Sequence, residues 1–252
     1  MDLKHLVSGT DIRGIVSEVE GKKVTLTEKE VEFIGKAFGN WITKKYGRKS
    51  ELENRKIKVS VGYDARHTGP KFSKILRDVL KSMEIDVYDC QMSITPSLFM
   101  TTIFEDYKAD GAIMITASHL PSCYNGLKFF TTEGGLEKTD VVEMLEMGNK
   151  KACQCEANLK EALKIEEKKG RSYTKNLAED YATYTCEFIR KETGEEKPLE
   201  NLRIVIDAGN GAAGFFADKV IEELGGNSEG SQFLNPDGDF PNHVPNPEAK
   251  EA

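Results

Sequence analysis

The sequence predicts an α/β fold: one domain with a largely parallel or mixed sheet, followed by the opening of a second α/β unit. Three observations carry this. Short apolar runs with strand character stand at 57–62, 85–89 and 111–116. Segments of helical periodicity separate them, the alternation from which α/β sheets are built. Past a charge-rich stretch at 149–175, a helix and then a strand appear again.

Taken in order, residues 28–47 place Val31, Ile34, Phe38, Trp41, Ile42 and Tyr46 on one helical face, with Thr27 and Glu30 as a capping box and Leu26 and Val31 as its staple. The run IKVSVG (57–62) alternates as a strand. The loop YDARHTGP leads into a helix carrying Phe72, Ile75, Leu76, Val79, Leu80 and Met83. A strand near 85–89 precedes Pro96, which suits the first turn of a helix running to about Tyr107. GAIMIT (111–116) reads as a strand covered on both faces. The charged stretch reads as a surface helix or linker. A helix from Leu177 to Ile189, a strand at 203–207 and a helix at 212–224 open the second unit. The boundaries expected are 1–175 and 176–252, and the polar end of the chain makes the second unit look incomplete.

Composition narrows the function classes. The 252 residues carry 35 Lys and Arg against 42 Asp and Glu, a net charge of −7. That balance disfavours a general binder of nucleic acid or of an anionic membrane. No apolar run approaches the ~18 residues of a bilayer-spanning helix. Five scattered cysteines argue against a disulfide framework and fit a reducing cytoplasm. Cys153 and Cys155 lack the further ligands that a closed zinc site needs.

In α/β sheets ligands sit beyond the carboxyl ends of the strands, which singles out the loops at 63–70 and 117–126. In the second, Ser118 and His119 follow an apolar strand, and Asn125-Gly126 is a turn signal that returns the chain as a strand bearing Lys128. A serine hydroxyl needs a base, a metal or oriented donors to act as a nucleophile; a surface hairpin is the plainer reading. GTDIRG (9–14) is a short polar loop with Arg13 between glycines, open to a phosphate or to nothing. In the first loop Arg66 either binds phosphate or pairs with Asp64, and pairing is the favoured reading. Gly209, Gly211 and Gly214 match the spacing of a dinucleotide fingerprint, without the acidic residue that should close the following strand.

Together GTDIRG, VGYDARHTGP, TASHLPSCYNGLKFF, VIDAGNGAAG and PDGDFPNHVPNP, in this order, resemble the α-D-phosphohexomutase family, in particular its phosphomannomutase/phosphoglucomutase branch. The resemblance implies a three-layer mixed-sheet first domain and the start of a second, within a four-domain enzyme. It implies exchange of hexose 1-phosphate and hexose 6-phosphate through a phosphoserine, which the motif places at Ser118, and a bisphosphorylated sugar. Lys128 matches the family's acid/base or charge-stabilising lysine, and Arg13 its arginine near the reacting phosphate. Thr10 and Arg66 are expected to contact substrate, and His119 to support the loop or contact the sugar. The family's Mg2+ is expected on the Ser118 phosphate and on aspartates of a D-G-D-x-D-R loop that this chain lacks; Asp237 and Asp239 only imitate its first half and receive no metal role. In this family the glycine turn binds no dinucleotide, so NAD is not expected. Leu120 stands where the family commonly has asparagine. A fragment of this extent is expected to be inactive by itself. Phosphoglucosamine mutase, or a non-catalytic phosphosugar-binding protein on the same scaffold, are the alternatives; sugar preference and oligomeric state stay open.

Overall fold

The computed structural model describes residues 1–19, 21–148 and 169–250. After a 3-10 turn at Lys4–Leu6 come β1 (Val7–Ser8), β2 (Asp11–Ile15), α1 (Glu28–Leu52), β3 (Lys58–Tyr63), α2 (Gly69–Ser82) and β4 (Asp86–Met92). Then follow α3 (Thr95–Met100), β5 (Gly111–Ile115), β6 (Tyr124–Thr131), β7 (Gly134–Gly135), α4 (Lys138–Gly148), β8 (Ser172–Thr174) and α5 (Leu177–Thr193).

The strands form one sheet in the order β1-β2-β6-β5-β3-β4-β8, with β7 on β6. It is mixed: β5, β3, β4 and β8 run parallel, while β1, β2, β6 and β7 pair antiparallel. Strand alternation sorts the core. Val59, Val61, Ile113, Ile115, Leu127 and Phe129 pack under α1, α2 and α4. Ala112 and Met114, one step out of phase, join Tyr88, Leu98, Tyr107 and Leu177 on the other face, where α3 and α5 meet. Every residue of β5 is buried, as a strand covered on both faces must be. At the start of α1, the Thr27 backbone N–H donates to Glu30 Oε2 at 2.9 Å, and Leu26 and Val31 are buried beside this cap.

Several local expectations are corrected. The helix beginning at Thr95 ends at Met100, not Tyr107. There the Thr101 and Thr102 hydroxyls donate back to the carbonyls of Leu98 and Phe99 at 2.7 and 2.8 Å, local bonds that compete with continuation of the helix. GTDIRG is a turn followed by a strand, so Arg13 projects from β2. Asn125 and Gly126 lie inside β6 rather than at a turn. The charged stretch with Cys153 and Cys155 lies outside the described residues up to 168, but 172–174 form β8 where a helix or linker was expected. The strand expected at 203–207 is reduced to two parallel bridges, Arg203 with Asn227 and Asp207 with Gln232. Of the helix expected at 212–224, a π-helical stretch, Ala217–Glu222, is formed. A Cβ on Gly214 would stand 1.9 Å from the Leu234 carbonyl oxygen, so the backbones cross where that helix was to begin.

Candidate active site

The two loops singled out by the sheet rule lie together. Asn125, fully buried, donates from Nδ2 to the Thr68 hydroxyl at 2.8 Å and accepts the Gly126 N–H at 2.8 Å, tying β6 to the loop before α2.

Ser118 follows β5 by three residues, exposed, with a left-handed backbone (φ 55°). Such a conformation is uncommon for a residue with a Cβ and persists where its surroundings enforce it. Here both of its peptide neighbours are held. The Ser118 N–H donates to the Thr116 hydroxyl at 3.0 Å, and that hydroxyl donates to Asp64 Oδ2 at 2.6 Å. The Ser118 carbonyl accepts from Arg66 Nη2 at 3.0 Å.

Arg66 is 1% exposed, and its donors are all used. Nη2 also donates to Leu120 O at 2.6 Å, Nη1 to Pro121 O at 2.7 Å and Tyr124 O at 2.9 Å, and Nε to Asp64 at 3.2 Å. A guanidinium has five N–H groups, so none remains for a sugar phosphate. The substrate contact expected of Arg66 is therefore replaced by a structural task, the pairing with Asp64 that its position also suggested. Burial dominates the titration of this pair: it pushes the Asp64 carboxyl up and draws the Arg66 guanidinium down from their ordinary values, against their mutual attraction.

On β2, alternation sends Ile12 into the core and Asp11 and Arg13 to the opposite face. Arg13 pairs in register with Gly126 of β6. A Cβ there would stand 2.2 Å from the Ile12 carbonyl oxygen and 3.1 Å from Arg13 Cγ, so glycine leaves the space the arginine stem uses. Arg13 Nη2 reaches Asp11 Oδ2 at 3.1 Å and the Ser118 hydroxyl at 3.5 Å. Lys128 Nζ forms an ion pair with the same Asp11 oxygen. The structure thus joins Ser118 to Arg13 directly and, through Arg13 and then Asp11, to Lys128; Asp11 is a residue the sequence reading did not single out. Arg13 Nε is buried and has no partner among the described residues. Thr10 is exposed, with its hydroxyl 3.5 Å from Asp11 Oδ1, and His119 is exposed next to Ser118.

Ser118 opens on a cavity of about 440 Å³, within the ~300–1,000 Å³ range of small-molecule sites. Its far wall comes from the second unit: Asp207, Gly209, Phe240 and His243. Gly209 (φ 51°) turns the chain there, and a Cβ on it would stand 2.9 Å from the His243 ring. His67, Asp237 and Asp239 offer three potential ligand atoms within 4.8 Å of one another, with His67 Nε2 already 2.9 Å from Asp239 Oδ1.

For a divalent ion, Ser118 and any phosphate it carries would supply oxygen ligands. The carboxylates bonded into this network are committed, Asp11 to Arg13 and Lys128, Asp64 to Arg66 and Thr116. The group among the described residues that could hold an ion is His67, Asp237 and Asp239.

Residues 4–152 match the family model for phosphoglucomutase/phosphomannomutase α/β/α domain I, and residues 172–252 match that for domain II. The chain belongs to the phosphoglucomutase/phosphomannomutase family. The second match begins at 172 although residues 172–174 complete the first sheet. A phosphoglucomutase of Neisseria meningitidis is 30% identical over 244 residues, covering 97% of this chain and 45% of that protein. A phosphomannomutase/phosphoglucomutase of Pseudomonas aeruginosa is 30% identical over 94% of this chain and 43% of its own length. A phosphoglucosamine mutase of Chromohalobacter salexigens is 32% identical over 86% of this chain and 43% of its length. The crystal structure of a phosphoglucomutase/phosphomannomutase family protein from Burkholderia thailandensis superposes with a TM-score of 0.70 at 26% identity, covering 97% of this chain and 47% of that one. The chain thus spans less than half the length of these relatives. No described helix is long and apolar enough to cross a membrane.

Proposed function

We propose that the complete protein is a phosphohexomutase interconverting hexose 1-phosphate and hexose 6-phosphate, with mannose and glucose phosphates as the preferred sugars. The observation that carries this reading is the exposed Ser118 hydroxyl, held in a left-handed turn on the wall of a cavity, with Arg13 within reach. In the forward step the bond from phosphorus to Ser118 Oγ breaks as one forms to a sugar hydroxyl, and that hydroxyl's proton leaves to a base. The bisphosphorylated sugar reorients, and its other phosphoryl group returns to Ser118 Oγ. Phosphoryl transfer asks a protein mainly for alignment and charge neutralisation. Arg13 supplies both: a cation beside Oγ, and an Nε donor with no partner in the described residues, a costly state that a phosphate oxygen would relieve. Lys128, oriented by Asp11, acts as acid or charge stabiliser at the leaving oxygen. Thr10 and His119 stand exposed on the two turns flanking the site, as sugar-contacting residues should. We assign the family's metal as Mg2+, which would neutralise charge on the phosphate at Ser118. The free thiols of Cys90, Cys123 and Cys186 favour the cytoplasm as its compartment.

The experiment is turnover by the complete protein on mannose, glucose and glucosamine phosphates, with and without Mg2+. The reading expects Mg2+-dependent isomerisation, faster on mannose or glucose phosphate. Preference for glucosamine phosphate would make it a phosphoglucosamine mutase. Sugar phosphate binding without isomerisation would make it a binding protein on this scaffold.

A further inference from the structure

We infer that Phe240, in the second unit, is a positioning residue for the Ser118 turn, acting through the Arg66 guanidinium. The inference deepens the proposed function and rests on it for its catalytic meaning. The edges of the guanidinium are fully engaged by Asp64 and by the carbonyls of Ser118, Leu120, Pro121 and Tyr124, which leaves its flat faces. The Arg66 cation lies over the Phe240 ring, its Cζ 5.1 Å from the ring centroid. A buried cation over an aromatic face is held in place by the ring's charge distribution. Four carbonyls that bend around a single cation depend on where that cation sits, so the ring that fixes Arg66 also fixes the turn.

Phe240 is itself seated by independent contacts along its turn. The Asp237 N–H donates to Asn210 O at 2.8 Å, and the Phe240 N–H to Asp237 O at 3.2 Å. Asp239 pairs with His67 at 2.9 Å. A Cβ on Gly238 would stand 2.8 Å from both the Ala65 carbonyl oxygen and the His67 nitrogen, so the turn rests directly on the loop that carries Arg66. Phe240 and Ser118 also share the walls of one cavity. The consequence is a mechanical link: a shift of the 237–240 turn is transmitted through Arg66 to the backbone on both sides of the nucleophile.

The test is amide hydrogen exchange across 118–124, with the Arg66 guanidinium followed by 15N NMR, in the complete protein bearing Phe240→Leu, Phe240→Tyr or Gly238→Ala. Loss of the ring should speed exchange of 118–124 by about tenfold and broaden or shift the guanidinium signal, with β5 amides unchanged. Phe240→Tyr, which keeps the ring, should restore both readouts. Gly238→Ala, which lifts the turn without touching the ring, should reproduce the Phe240→Leu effect. Unchanged 118–124 exchange in both Phe240→Leu and Gly238→Ala would overturn the inference, as would equal damage from Phe240→Tyr or acceleration extending evenly through β5. Exchange is read without turnover, so an inactive protein that shows the expected pattern would reject the mutase reading and keep the link, while an active one without it would do the reverse.

Discussion

Arg66 holds Ser118 by its carbonyl oxygen, at 3.0 Å, and leaves the hydroxyl free. The division of labour is sharp: one buried arginine shapes the turn, and another, Arg13, on a neighbouring strand, faces the hydroxyl at 3.5 Å. Arg66→Lys keeps the charge, but three donors cannot span four carbonyls and Asp64. Breaking such a buried ion pair costs about 3–5 kcal/mol, and the retained ammonium should place Arg66→Lys near the lower end. Urea unfolding of the 252-residue chain checks this; a midpoint equal to wild type would show that the network is dispensable.

Asp11 accepts from Arg13 and Lys128 through the same oxygen. Asp11→Asn removes the charge that orients both, so it should lower kcat of the complete enzyme much as Lys128→Ala does, by ~10²-fold or more, with little change in KM. Residues acting as a unit are not additive, and Asp11→Asn with Lys128→Ala should be scarcely worse than either alone. Steady-state kinetics on the four proteins decides it; multiplicative losses would separate the two side chains.

Gly126 and Gly134 make a matched pair of tests. At Gly126 a methyl group meets the Ile12 carbonyl oxygen at 2.2 Å, whereas at Gly134 (φ 118°) it meets nothing within 4 Å. Gly126→Ala forces β2 from β6, a clash of the overpacking kind that costs about 1–3 kcal/mol or more, and should also impair phosphorylation of Ser118 by moving Arg13. Gly134→Ala bears only backbone strain of about 1–2 kcal/mol and should leave phosphorylation unchanged. Thermal melts and phosphoserine yield, read together, distinguish them.

His243 faces acceptors with both ring nitrogens, Val244 O at 2.9 Å and Asp207 Oδ1 at 3.1 Å, an arrangement that only the imidazolium satisfies on both sides. The Val244 carbonyl, then Asp207, raise its pKa above the ordinary 6.5. For Asp207 burial pulls upward, yet His243, Gln232 and the Gly209 N–H together bring it below 3.8. A raised histidine contributes stability that is full below 6.5 and lost as pH climbs through its folded value; a lowered carboxylate contributes above 3.8 and loses it as pH falls. The contact should therefore be tightest between pH 3.8 and 6.5. NMR titration of the His243 ring should give a midpoint above 6.5 that Asp207→Asn lowers; a midpoint at or below 6.5 in wild type would contradict this.

Legibility in the sequence followed the range of the interactions. The Thr27–Glu30 cap and the helix it starts are set within a few residues, and GAIMIT declares a buried strand by its own apolarity. β2 escaped because flanking glycines made GTDIRG resemble a loop, and only pairing with β6 makes it a strand. The alternation Asp11-Ile12-Arg13 carried the signal that could have found Asp11. β8 is three exposed residues whose partner, β4, lies some eighty positions upstream. The 203–207 run was apolar enough for a strand, but among the described residues it makes two isolated bridges, to Asn227 and Gln232. Ser118, Arg13 and Lys128 were singled out by their motifs, and the structure brings them into one network. The task of Arg66 was not settled there, because its carbonyl partners lie more than fifty residues away. Phe240 carried no signal at all, since its role exists only where the second unit touches the first.

In the proposed mutase one hydroxyl ferries the phosphoryl group. Phosphopeptide mass spectrometry of the complete protein after incubation with glucose 1,6-bisphosphate and Mg2+ tests it most directly, wild type beside Ser118→Ala. A single phosphorylated peptide containing Ser118, lost in the variant, is expected. Phosphate on another residue, or none on a folded wild-type protein, would contradict it.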